Sequence, residues 1–327
     1  QVVTHRIRYV HRGCSGIDHC LENTTKKIEL GPTRVFRRKV DIVRILACAP
    51  DRANGLFHYL IGFHAQLHFH MNWRGGNEGV NARGSGILEC FRQVDRWFSG
   101  VTVTDGSGSP RRGPYENCSD EEIRKIRIAE QRKAALIGDY ACQIQLGFPS
   151  EVVKDASNED VVVYLKAIFE GANPEVIYLH NPADKHDTHV ACCLRSIDAL
   201  RILPKDKRPQ KVYGCEVWRG LDWLLDSDKE LLRLDDRANI AEALCGVFDS
   251  QISGGKRYDL AVHGRHLANA TFFESHELDT CDRLSCAMDL TPLIKDSSLN
   301  VADYTLTLLR NMKDDVTDRI VRMNRRY

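Results

Sequence analysis

One stretch constrains the fold more than any other. Val176-Ile177-Tyr178-Leu179 is a short apolar run with the residue types of a buried parallel strand. Val190, Leu194 and Ile197 follow at helical spacing. Between them lies His180-Asn181-Pro182-Ala183-Asp184-Lys185-His186-Asp187-Thr188-His189, which puts three histidines and two aspartates into one strand-to-helix turn. In an open α/β sheet such a turn lies at the carboxyl end of the strands, where ligands bind. Imidazoles and carboxylates are the usual ligands of catalytic zinc. A purely structural role competes, in which Asp184 or Asp187 caps the next helix and the histidines are solvated. The density of ligating groups favours a site. The expectation is that the His189 ring faces an open cleft at the sheet rim.

The rest of the chain repeats this alternation. Val40–Ala49 is the first strand-like run, closed by Pro50-Asp51-Arg52. Leu56–His70 is apolar with scattered histidines. His64 and His68 would share a helix face, and His68 and His70 a strand face. Gly86–Phe91 is helical in pattern and Phe98–Thr104 strand-like. Ser119-Asp120-Glu121-Glu122 is a capping box that opens a helix running to about Gly138. Arg127 and Glu130, three apart on it, are spaced to pair as a solvated salt bridge. Gln143–Leu146 is the next strand, Asp160–Phe169 a helix, Glu175–His180 a strand and Thr188–Leu200 a helix. Lys211–Trp218 is strand-like, Asn239–Ile252 helical, and Asp303–Ile320 an amphipathic terminal helix. Strands and helices in alternation with short connections predict an α/β fold with a Rossmann-like, doubly wound, mostly parallel sheet and a C-terminal extension. The expected divisions are a poorly readable arm at 1–40, a core at 41–205, and an extension at 206–327 packing on that core.

Two glycine-bearing stretches interrupt the pattern. Asp105-Gly106-Ser107-Gly108 lacks the Lys-Ser/Thr ending of a phosphate loop, so it is weak support for nucleotide binding. Gly254-Gly255-Lys256-Arg257-Tyr258-Asp259 through Asn269 is polar and unlike a packed helix. It reads either as a surface turn or as a substrate-facing loop whose Lys and Arg recognise anionic or hydroxyl groups.

Bulk properties exclude some function classes. The formal net charge of +1 over 327 residues gives no overall pull toward nucleic acid or a membrane surface. No apolar run is long enough to span a bilayer. No charged start followed by an apolar core suggests secretion. Twelve cysteines are scattered without paired Cys-x-x-Cys spacing, as expected for reduced thiols of a cytoplasmic protein. These features suit a protein acting on a small molecule, and they leave room for a homo-oligomer.

Val101-Thr102-Val103-Thr104-Asp105-Gly106, then Arg127-Ile128-Ala129-Glu130 with Ala134-Ala135 and Gly138, then the His180–His189 turn, resemble the PIG-L/LmbE-like de-N-acetylases. Tyr213–Arg219, Phe248–Ile252, Gly254–Leu260 and Met288–Leu293 resemble a longer bacterial branch of that family. The resemblance implies hydrolysis of an N-acetyl group from an amino sugar or its conjugate, at a zinc ion held by two His and one Asp. Residue by residue, it makes His189 a zinc ligand, His186 the histidine that steadies the oxyanion, and Arg127 a substrate contact. The family's other signature, Ala-His-x-Asp-Asp-x-Glu, is not intact. Ala49-Pro50-Asp51-Arg52 keeps one acid, so Asp51 is the base by this placement, with Arg where a ligand belongs. Counting back from Gly86 puts the acidic pair at Asn77-Glu78. This departure leaves a second reading open, a non-catalytic member that binds a sugar conjugate or serves as a structural subunit.

Overall fold

The computed structural model describes residues 46–47, 66–72, 84–93 and 95–324. The 1–40 arm, most of the run expected as the first strand, Asp51, His64 and Asn77-Glu78 lie outside the described residues.

The strands are β1 (Leu46–Ala47), β2 (Gln66–Asn72), β3 (Arg96–Thr104), β4 (Cys142–Phe148), β5 (Val176–His180), β6 (Lys211–Cys215), β7 (Lys229–Arg233) and β8 (Leu284–Asp289). They form one sheet in the order β1-β4-β3-β2-β5-β6-β8-β7. The pairs β4–β3, β3–β2, β2–β5 and β5–β6 are parallel. β8 runs antiparallel to both β6 and β7, and β1 antiparallel to β4 at the other edge. The helices are α1 (Gly84–Cys90), α2 (Asp120–Ile137), α3 (Ser150–Lys154), α4 (Asp160–Ala172), α5 (Asp187–Ile202), α6 (Ala238–Gly246), α7 (Asp249–Ile252), α8 (Tyr258–Thr271), α9 (Thr291–Lys295) and α10 (Val301–Met323). This is the mixed α/β, mostly parallel architecture expected from the alternation.

Both sheet faces are covered, so β3 is buried without a break from Phe98 to Thr104 and β5 from Ile177 to His180. The period of two sorts their side chains into two cores. Val101 and Val103 of β3, Ile177 and Leu179 of β5 and Val212 of β6 join one cluster, with Leu165 and Phe169 of α4 and Ile197 and Leu200 of α5. Phe98, Tyr178 and Cys215 point the other way, to Ile87 of α1, Ala134 and Ala135 of α2 and Leu244 of α6. Gly86 is required here, because a Cβ on it would stand 2.4 Å from the Tyr178 ring.

The capping box on α2 forms as expected. Ser119 accepts from the Glu122 amide, and the Ser119 amide donates to the Glu122 carboxylate at 2.8 Å. Three expectations need correction. The 254–269 stretch is not a loop; from Tyr258 on it is α8. Asn239–Ile252 is two helices, because Phe248 leaves helical geometry (φ −90°, ψ 56°) to bury its ring. The strand expected over Lys211–Trp218 stops at Cys215, although the Glu216 amide still donates to the Cys286 carbonyl of β8 at 3.2 Å. The sheet also runs across the boundary expected at 205, since β6 pairs with β5 along its whole length. No helix among the described residues is long and apolar enough to cross a membrane. Cys90, Cys118, Cys281 and Cys286 are free thiols. Burial pushes Cys90 and Cys286 up to about 12, so they are unreactive.

Candidate metal and substrate site

The turn after β5 is tied to the end of β6. Asn181 donates its backbone N–H and its side-chain Nδ2 to the Cys215 carbonyl, at 3.1 and 3.0 Å. Its Oδ1 accepts from Ala183. Arg219 donates to the Ala183 carbonyl at 2.6 Å. α5 then starts with His186 as N-cap, a role expected for Asp184 or Asp187.

Asp184 does different work. Its Oδ1 accepts from the His186 amide at 3.2 Å. Its Oδ2 accepts from the Trp218 amide at 3.2 Å and lies 3.3 Å from His189 Nδ1. Burial alone would raise this carboxyl. The His189 contact and the two amides outweigh burial and hold it below its ordinary value. A hydrogen bond from Nδ1–H to Asp184 would leave the lone pair of a neutral His189 on Nε2. His186 is the complement. Its Nδ1 accepts from the Thr188 amide at 3.3 Å, so the neutral ring carries its proton on Nε2. Burial lowers the His186 pKa, against the pull of Asp184 and Asp187.

His180, Asp184 and His189 are all buried, with potential ligand atoms within 4.8 Å of one another. Two imidazoles and a carboxylate are a donor set that suits zinc. The ring orientations fit less well. His180 and His189 stack with centroids 4.0 Å apart and planes 10° from parallel. An imidazole binds a metal in its own ring plane, and two nearly parallel planes at that spacing share no nearby point. His186 stacks on the other side of His189 at 4.6 Å. In this arrangement a metal would be held through Nε2 of His189, with Asp184 as the orienting partner at Nδ1. His180 joins only if its ring turns out of the stack. The open cleft expected around His189 is also not what forms: the ring is 0% exposed, between two other imidazoles and a carboxylate.

The other expected residues are placed as follows. Arg127 and Glu130 lie on the inward side of α2 with Ile123, Gln131 and Ala134. They are 3% and 6% exposed, so the solvated salt bridge is corrected. Glu130 instead accepts from the Ser250 amide and hydroxyl, each at 2.7 Å, which ties α2 to α7. His68 and His70 are on β2, two residues apart and so on one strand face, beside Val176 and Tyr178 of β5 in register. β1 pairs at the far edge with β4. Sequence reasoning missed Glu216 and Trp218. The sequence placed both inside the strand expected over Lys211–Trp218, and the one sign was their place in the Tyr213–Arg219 stretch that carries the family resemblance. Glu216 is 2% exposed. It accepts from the Cys286 amide at 2.9 Å and from Asn269 at 2.5 Å.

A cavity of about 200 Å³ opens beside this turn, between the end of β6 and α8. Glu216, Trp218, Lys256, Tyr258, Arg265 and His266 are among its walls. Gly254 and Gly255 bring Lys256 there by passing over backbone; Cβ atoms on them would stand 2.4 Å from the Ser250 carbonyl and 2.7 Å from that of Gln251. The Trp218 ring lies 6.3 Å from His186 on one side. On the other, Lys256 Nζ sits 4.2 Å from its centroid.

Comparison with known proteins agrees with this geometry. Residues 84–200 match the family described as PIG-L: GlcNAc-PI de-N-acetylase. No curated protein matches the chain in sequence. Among solved structures, the N,N'-diacetylchitobiose deacetylase of Pyrococcus horikoshii is similar with a TM-score of 0.53 at 12% identity, over 75% of this chain and 94% of that one. A conserved protein of Thermus thermophilus gives 0.52 at 16%, over 72% and 99%. The 4-carboxy-2-hydroxymuconate hydratase of Pseudomonas putida gives 0.52 at 13%, over 69% and 97%. At these identities the likeness is one of fold, and the same fold carries both a deacetylase and a hydratase.

Proposed function

We propose that this chain, whose residues 84–200 are a PIG-L domain, hydrolyses an N-acetyl group from an amino-sugar conjugate at the turn after β5, with zinc held through His189. The observation that carries the reading is the pair of opposite Nδ1 contacts on adjacent rings, a carboxylate on His189 and a backbone amide on His186. Asp184 takes the Nδ1 proton side of His189 and puts the lone pair on Nε2, the form that ligates a metal. Thr188 occupies Nδ1 of His186 and puts the proton on Nε2, the form that donates to an oxygen gaining charge. Zinc, when bound, supplies Lewis-acid chemistry. Arg127 contacts substrate in this reading, and Asp51 removes the proton. The segment directly after β2, residues 73–83, contains one carboxylate, Glu78. Glu78 is therefore tested beside Asp51 as the base.

One observation favours the second reading, a sugar-conjugate-binding or structural member without turnover. The near-parallel stack of His180 on His189 aims only one of these rings at any single ion, and one protein ligand does not hold catalytic zinc. Metal analysis of the purified chain separates the two. Zinc at one per chain, lost to a chelator together with deacetylation of N-acetylglucosamine conjugates, supports the hydrolase. A metal-free chain that binds the same sugar without cleaving it supports the alternative. Within the hydrolase reading, Asp51→Asn and Glu78→Gln assign the base. The variant that loses turnover by roughly 100-fold or more, the scale of general-base catalysis, with zinc retained is the one that carries it.

A further inference from the structure

The cavity beside Trp218 has a chemistry of its own. Its walls come from the segment after β6, the segment before α8, α8 itself and Ser285 of β8, all outside residues 84–200. Lys256 has no carboxylate partner among the described residues; its contact is the face of Trp218 at 4.2 Å. Arg265 gives one guanidinium N–H to the Val217 carbonyl and also acts on the Glu216 carboxyl, pulling its pKa down against burial. Arg257 differs, being paired with Asp259 at 2.7 Å. The one carboxyl in the walls, Glu216, is engaged: its Oε1 takes the Cys286 amide and Asn269. Burial pushes Glu216 toward its neutral form, which weakens its opposition to an anion. The buried Trp218 indole N–H has no acceptor among the described residues, and a buried donor in that state gains from any acceptor oxygen. Trp218 also joins the cavity to the histidine turn, since its amide donates to Asp184 and its ring lies 6.3 Å from His186.

We propose that this cavity binds an anionic group, a carboxylate or a phosphate, through Lys256 and Arg265, and that it receives the part of the conjugate remote from the scissile amide. The second half rests on the deacetylase reading; the first does not. A ligand oxygen between these two cations supplies the counter-charge that Lys256 lacks, with the indole as floor. A small cavity with an aromatic wall and a few convergent polar groups is the usual form of such a subsite.

The test is calorimetric titration of the full chain with inorganic phosphate and, separately, with acetate, with chloride holding ionic strength constant. Saturable binding is expected for at least one of them, with half-saturation on the order of 1 mM, the affinity a few polar contacts supply. Lys256→Met keeps the side-chain stem at an exposed position, so the fold is not at stake; it should weaken binding at least 10-fold. Phosphate binding without acetate binding identifies a phosphate ligand, and the converse a carboxylate. A matching change in tryptophan fluorescence that disappears in Trp218→Phe places the ligand in this cavity. Absence of saturable binding by both anions, or affinity unchanged in Lys256→Met, overturns the proposal. Hydrolysis and zinc content are measured apart. An anion-binding chain without turnover removes the hydrolase and keeps the cavity, and a deacetylase blind to both anions does the reverse.

Discussion

Two buried carboxyls at the same rim of the sheet respond to burial in opposite ways. Asp184 is 8% exposed and is held below its ordinary value; Glu216 is 2% exposed and is pushed above it. Both lose hydration, and both accept hydrogen bonds from backbone amides. The difference lies in what else they meet. Asp184 has donors on both oxygens, two amides and an imidazole. Glu216 gathers its donors on Oε1, and its nearest cation, Arg265, is turned to a carbonyl. Burial costs a charged carboxylate several kcal/mol, and only full pairing offsets it. Asp184 is therefore built to stay ionised and orient a ring. Glu216 sits in the wall of a cavity with burial pushing its carboxyl above the ordinary range.

The comparison breaks first at His189. His189→Ala should abolish zinc binding outright, and metal content unchanged from wild type would remove Asp184's orienting role with it. Asp184→Asn keeps the shape and removes the charge. It should lower zinc affinity by roughly 10–100-fold, the usual effect of losing an orienting partner, as read by competition with a chelator; an affinity within twofold of wild type would mean the carboxylate is only a cap. Ser250→Ala sharpens the contrast from a third buried carboxyl, Glu130, which burial also raises against the opposing Ser250 bonds. Loss of the 2.7 Å hydroxyl contact should cost about 1–3 kcal/mol in denaturant unfolding.

The smallest effect concerns Glu216→Gln. The folded-state pKa of Glu216 lies above its ordinary 4.5, so the folded chain holds that proton more tightly than the unfolded chain. Its stabilisation is complete below about pH 4.5 and is lost as pH rises through the folded value. Gln keeps the Oε1 acceptor and removes the charge. The variant should melt a few degrees higher than wild type at pH 8 and nearly level with it at pH 4. A lower melting temperature at pH 8 would show that Glu216 is ionised and needed as such.

Much of the fold was legible because its signals are local. The Val176–Leu179 run became β5, and Ser119 with Glu122 closed a capping box, since both depend on residues a few positions apart. The His180–His189 turn was legible as a polar cluster for the same reason. The roles inside it were not. Asp184 is two residues before the cap, yet its third donor is Trp218, 34 positions away, and no spacing rule reaches that far. α8 was taken for a loop because only His266 and Ala270 of it are buried; two residues four apart make a narrow seam that its Gly, Lys and Arg content hides. β8 is buried from Leu284 to Met288 without alternation, and its antiparallel course between β6 and β7 is set by tertiary pairing alone. The base was not recoverable from the chain, because the signature that would mark it is replaced by Ala49–Arg52.

The sheet order also bears on how this protein can be dissected. The family match covers 84–200, but β2 lies between β3 and β5 and β6 lies beyond β5, so the matched segment omits strands on both sides of β5. A recombinant fragment trimmed to the matched limits would present unsatisfied amides and carbonyls on one edge of β3 and both edges of β5, a template for intermolecular zippering and insoluble expression. Here the span that matches the family and the span that the sheet joins together are different pieces of polypeptide.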